Sequence, residues 1–428
     1  LDATGVMMSV PADLVQAAIA AVDDLFPSNV AFLQELVRQP SPLGDVRPAQ
    51  EMLFQRLTQI GLDAYLEEIA LDTIAAHPDF APVPWSTAGQ PNVWGILPGS
   101  ASAGPSLVLN GHMDVVPPGP SERWSYGPWS GAIADGRLYG RGAYDMKGGL
   151  VAGLLALQAI TAAGLPLRGA VIFESVIEEE CSGNGMLAQR LRTGPVDGTI
   201  ILEPTGDVTW IATPGVVWFD VAVSGKAAYV GQGGEYVNAI EVATAMIGAM
   251  QPVMVQELND AFTHPDFAHL AQPLTLSVGT IEGGGWPSAV PLACHFACRM
   301  SYPIGWSFAQ VRAFVERHVA AATPDSAWLA AHPPRVTFPG FRARGWEYQA
   351  DPALLDLVGR EHERLTGDPL RRVGWPGTAD GRYFAPADPV VYYGPAGSGI
   401  HGPDEYVDLE SVRNVAKVLV RVIAEWCA

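Results

Sequence analysis

"NGHMDVV", residues 110–116, takes up the end of a run, Ser106 to Asn110, that is mostly apolar and strand-like. The strand thus ends on a histidine and a carboxylate two positions apart. On an extended backbone, residues two apart share a face, so His112 and Asp114 look toward one place. An Asp beside a His commonly fixes the imidazole tautomer and raises its basicity, as a metal ligand requires. Alone, the pair fits a capped strand end with a solvated acid at least as well. Partners elsewhere in the chain decide between these readings.

Outward from that strand, strands alternate with helices. Helix 147–163, strand 169–177, helix 184–192 and strand 198–203 follow in order, which predicts an α/β fold with a mostly parallel sheet. Upstream, amphipathic helices are expected at Asp13–Leu25, Asn29–Arg38 and Ala49–Ile60, then a Pro-rich loop over 75–92. After Thr213 the texture changes. "GVVWFDVAVSG" reads as a strand, Ala239–Met250 as a helix, "LTLSVGTIEG" and "ACHFACRMSY" as strands, Phe308–Ala322 as a helix and "RVTF" as a strand. From about Ala350 the α/β texture returns, with helix 352–366, strand "PVVYYG" and helix 409–426. The simplest organisation is a catalytic domain of residues 1–213 and 339–428, split by an inserted α+β domain of residues 214–338.

Composition narrows the function. The chain has 428 residues, 48% of them hydrophobic and 16% charged, enough for sizeable cores and too apolar for general disorder. With 25 Lys+Arg against 45 Asp+Glu, the net charge of −20 argues against nucleic acid and anionic membranes as partners. Clustered carboxylates could instead hold cations. Gly148–Leu167 is uncharged over the length of a membrane span, but its glycines, Gln158, Thr161 and Pro166 favour a helix buried inside the protein. The four cysteines, Cys181, Cys294, Cys298 and Cys427, are scattered and imply no disulfide framework. "CHFAC" alternates like a strand and lacks a second ligand pair, so its cysteines are expected to be structural. No signal peptide is visible, and the expected location is the cytoplasm.

Several further groups stand where His112 stands. Asp145 lies between glycines in "GRGAYDMKGG". Glu178, Glu179 and Glu180 end one strand in "VIFESVIEEECSGNG", and Glu203 ends the next in "IILEPTG". His401 lies in the glycine loop "YYGPAGSGIHGPDEYV" after the last strand. Sites in open α/β sheets form outside the carboxyl ends of the strands, so these groups should converge. Two histidines and several carboxylates suit zinc or manganese, singly or as a pair sharing a carboxylate. Any one of these acids fits a solvated strand end. Their joint occurrence is the stronger signal.

These motifs resemble the metallo-exopeptidase and deacylase family of acetylornithine deacetylase, succinyl-diaminopimelate desuccinylase and glutamate carboxypeptidase. The resemblance spans nearly the whole chain and rests on "GHMDVVP", "WSYGPWSGAIADGRLYGRGAYDMKGG", "EEECSGNG", "LEPTG", "YVNAIE", "GTADGRYF" and "GIHGPDEYV". It implies one or two divalent ions, zinc first, with manganese or cobalt as alternatives. It implies His112 and Glu203 on one ion, His401 and Glu180 on the other, and Asp145 bridging. Glu179 would be the general base, Asp114 would orient His112, and Glu178 would replace the family's usual Asp. The inserted domain would lid the site and form a homodimer. In such a site the metal lowers the pKa of water toward neutrality, while the base takes the proton and returns it to the leaving amine.

The sequence also departs from the family. Tyr229 stands where a carbonyl-polarising lid histidine is usual, and a tyrosine hydroxyl donates there without charge. Ser288 replaces a usual Asn. The lid arginine that often binds a substrate carboxylate is not matched, since Arg299 lies two positions off. Arg382 in "GTADGRYF" is a candidate for anion binding, with a surface ion pair as the alternative, and Asn238 in "YVNAIE" is a candidate on the substrate side. Trp286 in "GGWPS" and Trp375 in "VGWPG" could stack on an aromatic substrate. The reading is a metal-dependent hydrolase of C–N bonds, an amidohydrolase or deacylase acting on a small N-acyl or peptide-like molecule. Two alternatives stay open: an arylamine aminohydrolase, resembling the family member that acts on nitroanthranilate, and a non-catalytic binding protein on the same fold.

Overall fold

The computed structural model describes residues 10–100, 104–227 and 235–428. In chain order the principal strands are β1 (Asp63–Glu68), β2 (Pro91–Leu97), β3 (Leu107–His112), β4 (Val171–Val176), β5 (Thr199–Ile201), β6 (Gly215–Ser224), β7 (Leu276–Gly283), β8 (Ala293–Tyr302), β9 (Arg335–Thr337) and β10 (Val390–Tyr392). The principal helices are α1 (Ala12–Arg38), α2 (Arg47–Gln59), α3 (Gly148–Ala162), α4 (Asn184–Thr193), α5 (Ala239–Asp260), α6 (Phe308–Ala322), α7 (Ala353–Thr366) and α8 (Leu409–Trp426).

The central sheet has the order β1-β2-β4-β3-β5-β10. β4, β3, β5 and β10 are parallel, whereas β1–β2 and β2–β4 are antiparallel. A parallel strand covered on both faces must be buried along its length, and every residue of β3 is. The uncharged stretch predicted to be internal becomes α3, which packs against β3 and between α1 and α8. Its close approach needs glycine: a Cβ at Gly149 would fall 1.9 Å from the Leu202 carbonyl oxygen. No helix among the described residues is long and apolar enough to cross a membrane.

A second sheet, ordered β7-β8-β6-β9, is wholly antiparallel. Helices α5 and α6 cover it. Phe219, Met246, Met250, Phe296 and Val315 belong to its core, which is separate from the core around the central sheet. Cys294 and Cys298 point into this second core, while His295 lies on the opposite face near Asp220, at 3.8 Å. All four cysteines are free and buried.

Two helix boundaries differ from expectation. The two N-terminal helices are one, because α1 runs through Pro27. Proline removes a donor and normally breaks a helix. Here Val22 before it and Leu33, Leu36 and Val37 after it belong to the same core, and the side chains of Ser28 and Asn29 both donate to the Leu25 carbonyl. Likewise α5 continues past Met250 and Pro252 to Asp260, since Met254 and Leu258 extend its buried face.

Candidate metal centre and active site

The parallel strands bring the expected residues together. His112 ends β3. Glu178–Glu180 follow β4, Glu203 follows β5, and the chain leaving β10 leads to His401. Asp145 precedes α3 and lies among them. One oxygen of its carboxylate, Oδ1, is 3.1 Å from His112 Nε2, and the other, Oδ2, is 3.3 Å from His401 Nε2. His401 Nε2 is also 3.1 Å from Glu180 Oε2. Two groups result, His112–Asp145–Glu203 and Asp145–Glu180–His401, each with its ligand atoms within 4.8 Å of one another.

The groups at this centre strongly shift one another's protonation. Burial and the neighbouring Asp145 push Glu180 up to about 7, and the same causes raise Glu203 well above the usual carboxylate range. No Lys or Arg among the described residues pairs with either. Burial alone would lower the imidazole pKa values. Asp145, Asp114 and Glu203 overcome it at His112 and raise that group, while Asp145 and Glu180 raise His401 to about 11. Burial would likewise raise Asp145, but His112 and His401 hold it below the usual range. Three carboxylates and two imidazoles drawn together, with no Lys or Arg among the described residues paired to Glu180 or Glu203, form the mixed donor set that suits divalent cations.

Asp114 behaves differently from expectation. It meets His112 mainly through its backbone carbonyl, 2.8 Å from His112 Nδ1. Its carboxylate instead accepts from the backbone N–H groups of Glu179 (3.2 Å) and Glu180 (3.1 Å), with Oδ1 at 3.8 Å from the imidazole. Burial pushes it up to about 6.

Arg382 does not face the substrate side as an exposed anion site would. It is almost completely buried, with Nη1 at 3.4 Å from Glu179 Oε1 and Nη2 at 3.7 Å from Asp380 Oδ1. The surface ion pair considered as its alternative is also absent, because both partners are internal.

A cavity of about 360 Å³ opens beside the two groups. Asp145, Glu179, Glu180, Glu203 and His401 line one side. Trp375 lines it as expected and stacks on Trp210, with ring centroids 4.6 Å apart. Trp286 does not line it. That side chain is 72% exposed in the β7–β8 hairpin. Asn238 is also elsewhere: it caps α5, its side-chain oxygen accepting from the N–H groups of Ile240 and Glu241. Tyr229 lies outside the described residues.

Sequence reasoning missed Trp210, Trp218 and Phe341 in the cavity wall and left Arg299 unassigned. Arg299 and Trp218 are direct cross-strand partners on β8 and β6, so both point to the same face. Burial lowers the Arg299 pKa, and no acidic residue among those described pairs with it. Alternation along "VVWFDV" placed Trp218 on the face opposite Phe219. That was the available signal, but only the register with β8 aims that face at the metal groups.

The sequence model described as Peptidase family M20/M25/M40 matches residues 108–425. The chain belongs to this family. It is 27% identical to N-formyl-4-amino-5-aminomethyl-2-methylpyrimidine deformylase of Halalkalibacterium halodurans, over 97% of this chain and 98% of that protein. It is also 27% identical to succinyl-diaminopimelate desuccinylase of Methylorubrum populi, over 93% and 98%. The fold matches the di-peptidase Dug1p from Saccharomyces cerevisiae with a TM-score of 0.78, at 15% identity, over 96% and 98% of the two chains. As an M20 protein the chain is a metallopeptidase-like hydrolase acting on amide or peptide C–N bonds. The non-catalytic reading is set aside.

Proposed function

We propose that this M20 hydrolase is an amidohydrolase that releases an amine from an aromatic N-acyl or peptide-like molecule bearing an anionic group. One observation carries the reading. The carboxylate of Asp145 faces both His112 and His401 at the edge of a cavity that also holds Glu179, an aromatic wall and Arg299, which pairs with no acidic residue among those described.

His112 and Glu203 would hold one ion and His401 and Glu180 the other, with Asp145 shared. The imidazole and carboxylate donors favour zinc, with manganese or cobalt able to substitute. Such ions supply Lewis acidity, polarising an amide carbonyl and acidifying water. Glu179 accepts the proton of the attacking water and passes it to the leaving amine nitrogen. Asp114 holds the backbone of Glu179 and Glu180 in place, and Arg382 holds the Glu179 carboxylate. Arg299 meets the substrate anion, while Trp375, Trp218 and Phe341 pack on its ring. Tyr229, where the family resemblance places a lid histidine, is the candidate donor to the carbonyl oxygen.

We divide the chain into a catalytic domain, 1–213 and 339–428, and an inserted lid of 214–338. The two separate cores support this division. The lid is also the proposed homodimer contact, supported by the exposed apolar side chains of Val253, Ile281, Trp286 and Leu292. Four free cysteines suit the reducing cytoplasm.

The test is a panel of N-aroyl, N-formyl and N-acetyl amino acids and free aminobenzoates, assayed after loading with zinc, manganese or cobalt. Release of the amino acid, fastest with aroyl groups and with a raised KM in Arg299→Gln, is expected. Ammonia from an aminobenzoate, with no amide cleaved, would replace this reading with the arylamine one.

A further inference from the structure

Residues 75–90 connect a short helical turn to β2 with no strand or helix of their own. A connection of this length inside a domain commonly has a function. Three of its anchors lead toward the active-site cavity. At the start of α4, Asn184 exchanges two hydrogen bonds with Ala81: the Ala81 N–H donates to Oδ1 at 3.1 Å, and Nδ2 donates to the Ala81 carbonyl at 2.9 Å. The Pro82 carbonyl accepts from the Gly340 N–H at 2.8 Å, and Asp79 lies 3.7 Å from Arg344 Nε. The indole Nε1 of Trp85 donates to Glu178 Oε1 at 2.7 Å.

Glu178 immediately precedes Glu179. Its φ of 64° lies in the left-handed region, which costs a non-glycine residue energy and persists only where the surroundings enforce it. The enforcement is visible. The second carboxylate oxygen of Glu178 accepts from the Ser182 hydroxyl, and its backbone carbonyl accepts from the N–H groups of Ser182 (3.0 Å) and Gly183 (2.6 Å). The loop so fixed carries both Glu179 and Glu180.

The same tryptophan also approaches Gly340, the residue before Phe341 of the cavity wall. A Cβ built on Gly340 would lie 3.0 Å from the Trp218 ring and 3.4 Å from the Trp85 ring, so the two indoles close on the chain there. The next residue, Phe341, lines the cavity, and its carbonyl accepts from the Trp218 N–H at 2.9 Å. Neither Trp85 nor Glu178 lines the cavity.

We infer that Trp85 and Glu178 form a latch of positioning residues that holds the Glu179 loop in register with the aromatic wall at Trp218 and Phe341. This rests on the reading of Glu179 as general base. The latch sets where the Glu179 carboxylate stands relative to bound substrate. It contributes to turnover and leaves binding and metal retention alone.

The experiment compares Trp85→Phe, Glu178→Met, the double variant and Glu179→Ala. Trp85→Phe keeps a ring against Gly340 and removes only the N–H donor. Outer-shell contacts of this kind are typically worth about 10–100-fold in activity. The expected result for Trp85→Phe is a kcat lowered about tenfold, with KM and metal content as in wild type. Amide exchange at Ser182 and Gly183 should quicken, and the double variant should be no slower than Glu178→Met alone. Unchanged kcat and unchanged exchange in Trp85→Phe would overturn the latch, as would losses in the double variant that multiply. Retained turnover in Glu179→Ala would remove the general-base reading instead. Amide exchange needs no turnover, so it still decides whether the latch exists.

Discussion

Arg382 Nη1 lies 3.4 Å from Glu179 Oε1, and both side chains are buried. The guanidinium is the nearby cation that opposes the burial of Glu179 and Asp380. Burial and Glu179 still raise Asp380 well above the usual carboxylate range. A carboxyl with a raised folded pKa keeps its proton where the unfolded chain has lost it, so stability falls as pH rises from the ordinary carboxylate range through the folded value. Arg382→Met removes the opposing cation and leaves buried carboxylates unpaired. It should destabilise the metal-stripped protein by about 3–5 kcal/mol. Thermal unfolding across pH checks this, and the deficit should be larger in mildly alkaline than in mildly acidic buffer. A deficit independent of pH would mean that Arg382 acts only through packing.

Glu179 should be separable from the metal ligands. Glu179→Gln keeps shape and removes the base, so turnover should fall by about 10²–10⁴-fold while the bound metal stays. Metal analysis beside steady-state kinetics is the measurement. Metal lost with unchanged activity per ion would make Glu179 a ligand.

The two tryptophans singled out in the sequence should behave differently. Trp375→Ala removes a wall of the cavity and should raise KM about tenfold for an aromatic substrate, with some loss of stability because the stack on Trp210 goes too. Trp286→Ala alters an exposed hairpin residue and should shift the free energy of folding by less than about 0.5 kcal/mol. KM values and melting curves for the pair decide. An equal rise in KM for both would return Trp286 to the site.

The two candidate metal-binding groups could be anticipated from the sequence because most of their members are local signals that the family resemblance then singles out. His112, Glu180, Glu203 and His401 stand at or after the ends of parallel strands, which deliver them to one edge, and the glycine-flanked Asp145 before α3 joins them, so all five could be named without coordinates. The substrate wall was not legible in this way. Arg299 and Trp218 share the cavity face through the register of β8 on β6, and a one-residue slip would put them on opposite faces. Asn238 and Arg382 sit inside recognised motifs, yet one caps a helix and the other grips Glu179. A motif specifies which residue is present, and tertiary packing specifies what it touches. The run of α1 through Pro27 has the same origin: burial on a shared core outweighed a local helix breaker.

Anomalous scattering from crystals of the full chain loaded with zinc tests the central claim most directly. The account predicts two peaks flanking the Asp145 carboxylate, one against His112 and Glu203 and the other against His401 and Glu180. A single peak, or ions that leave Asp145 or His401 uncoordinated, would contradict it.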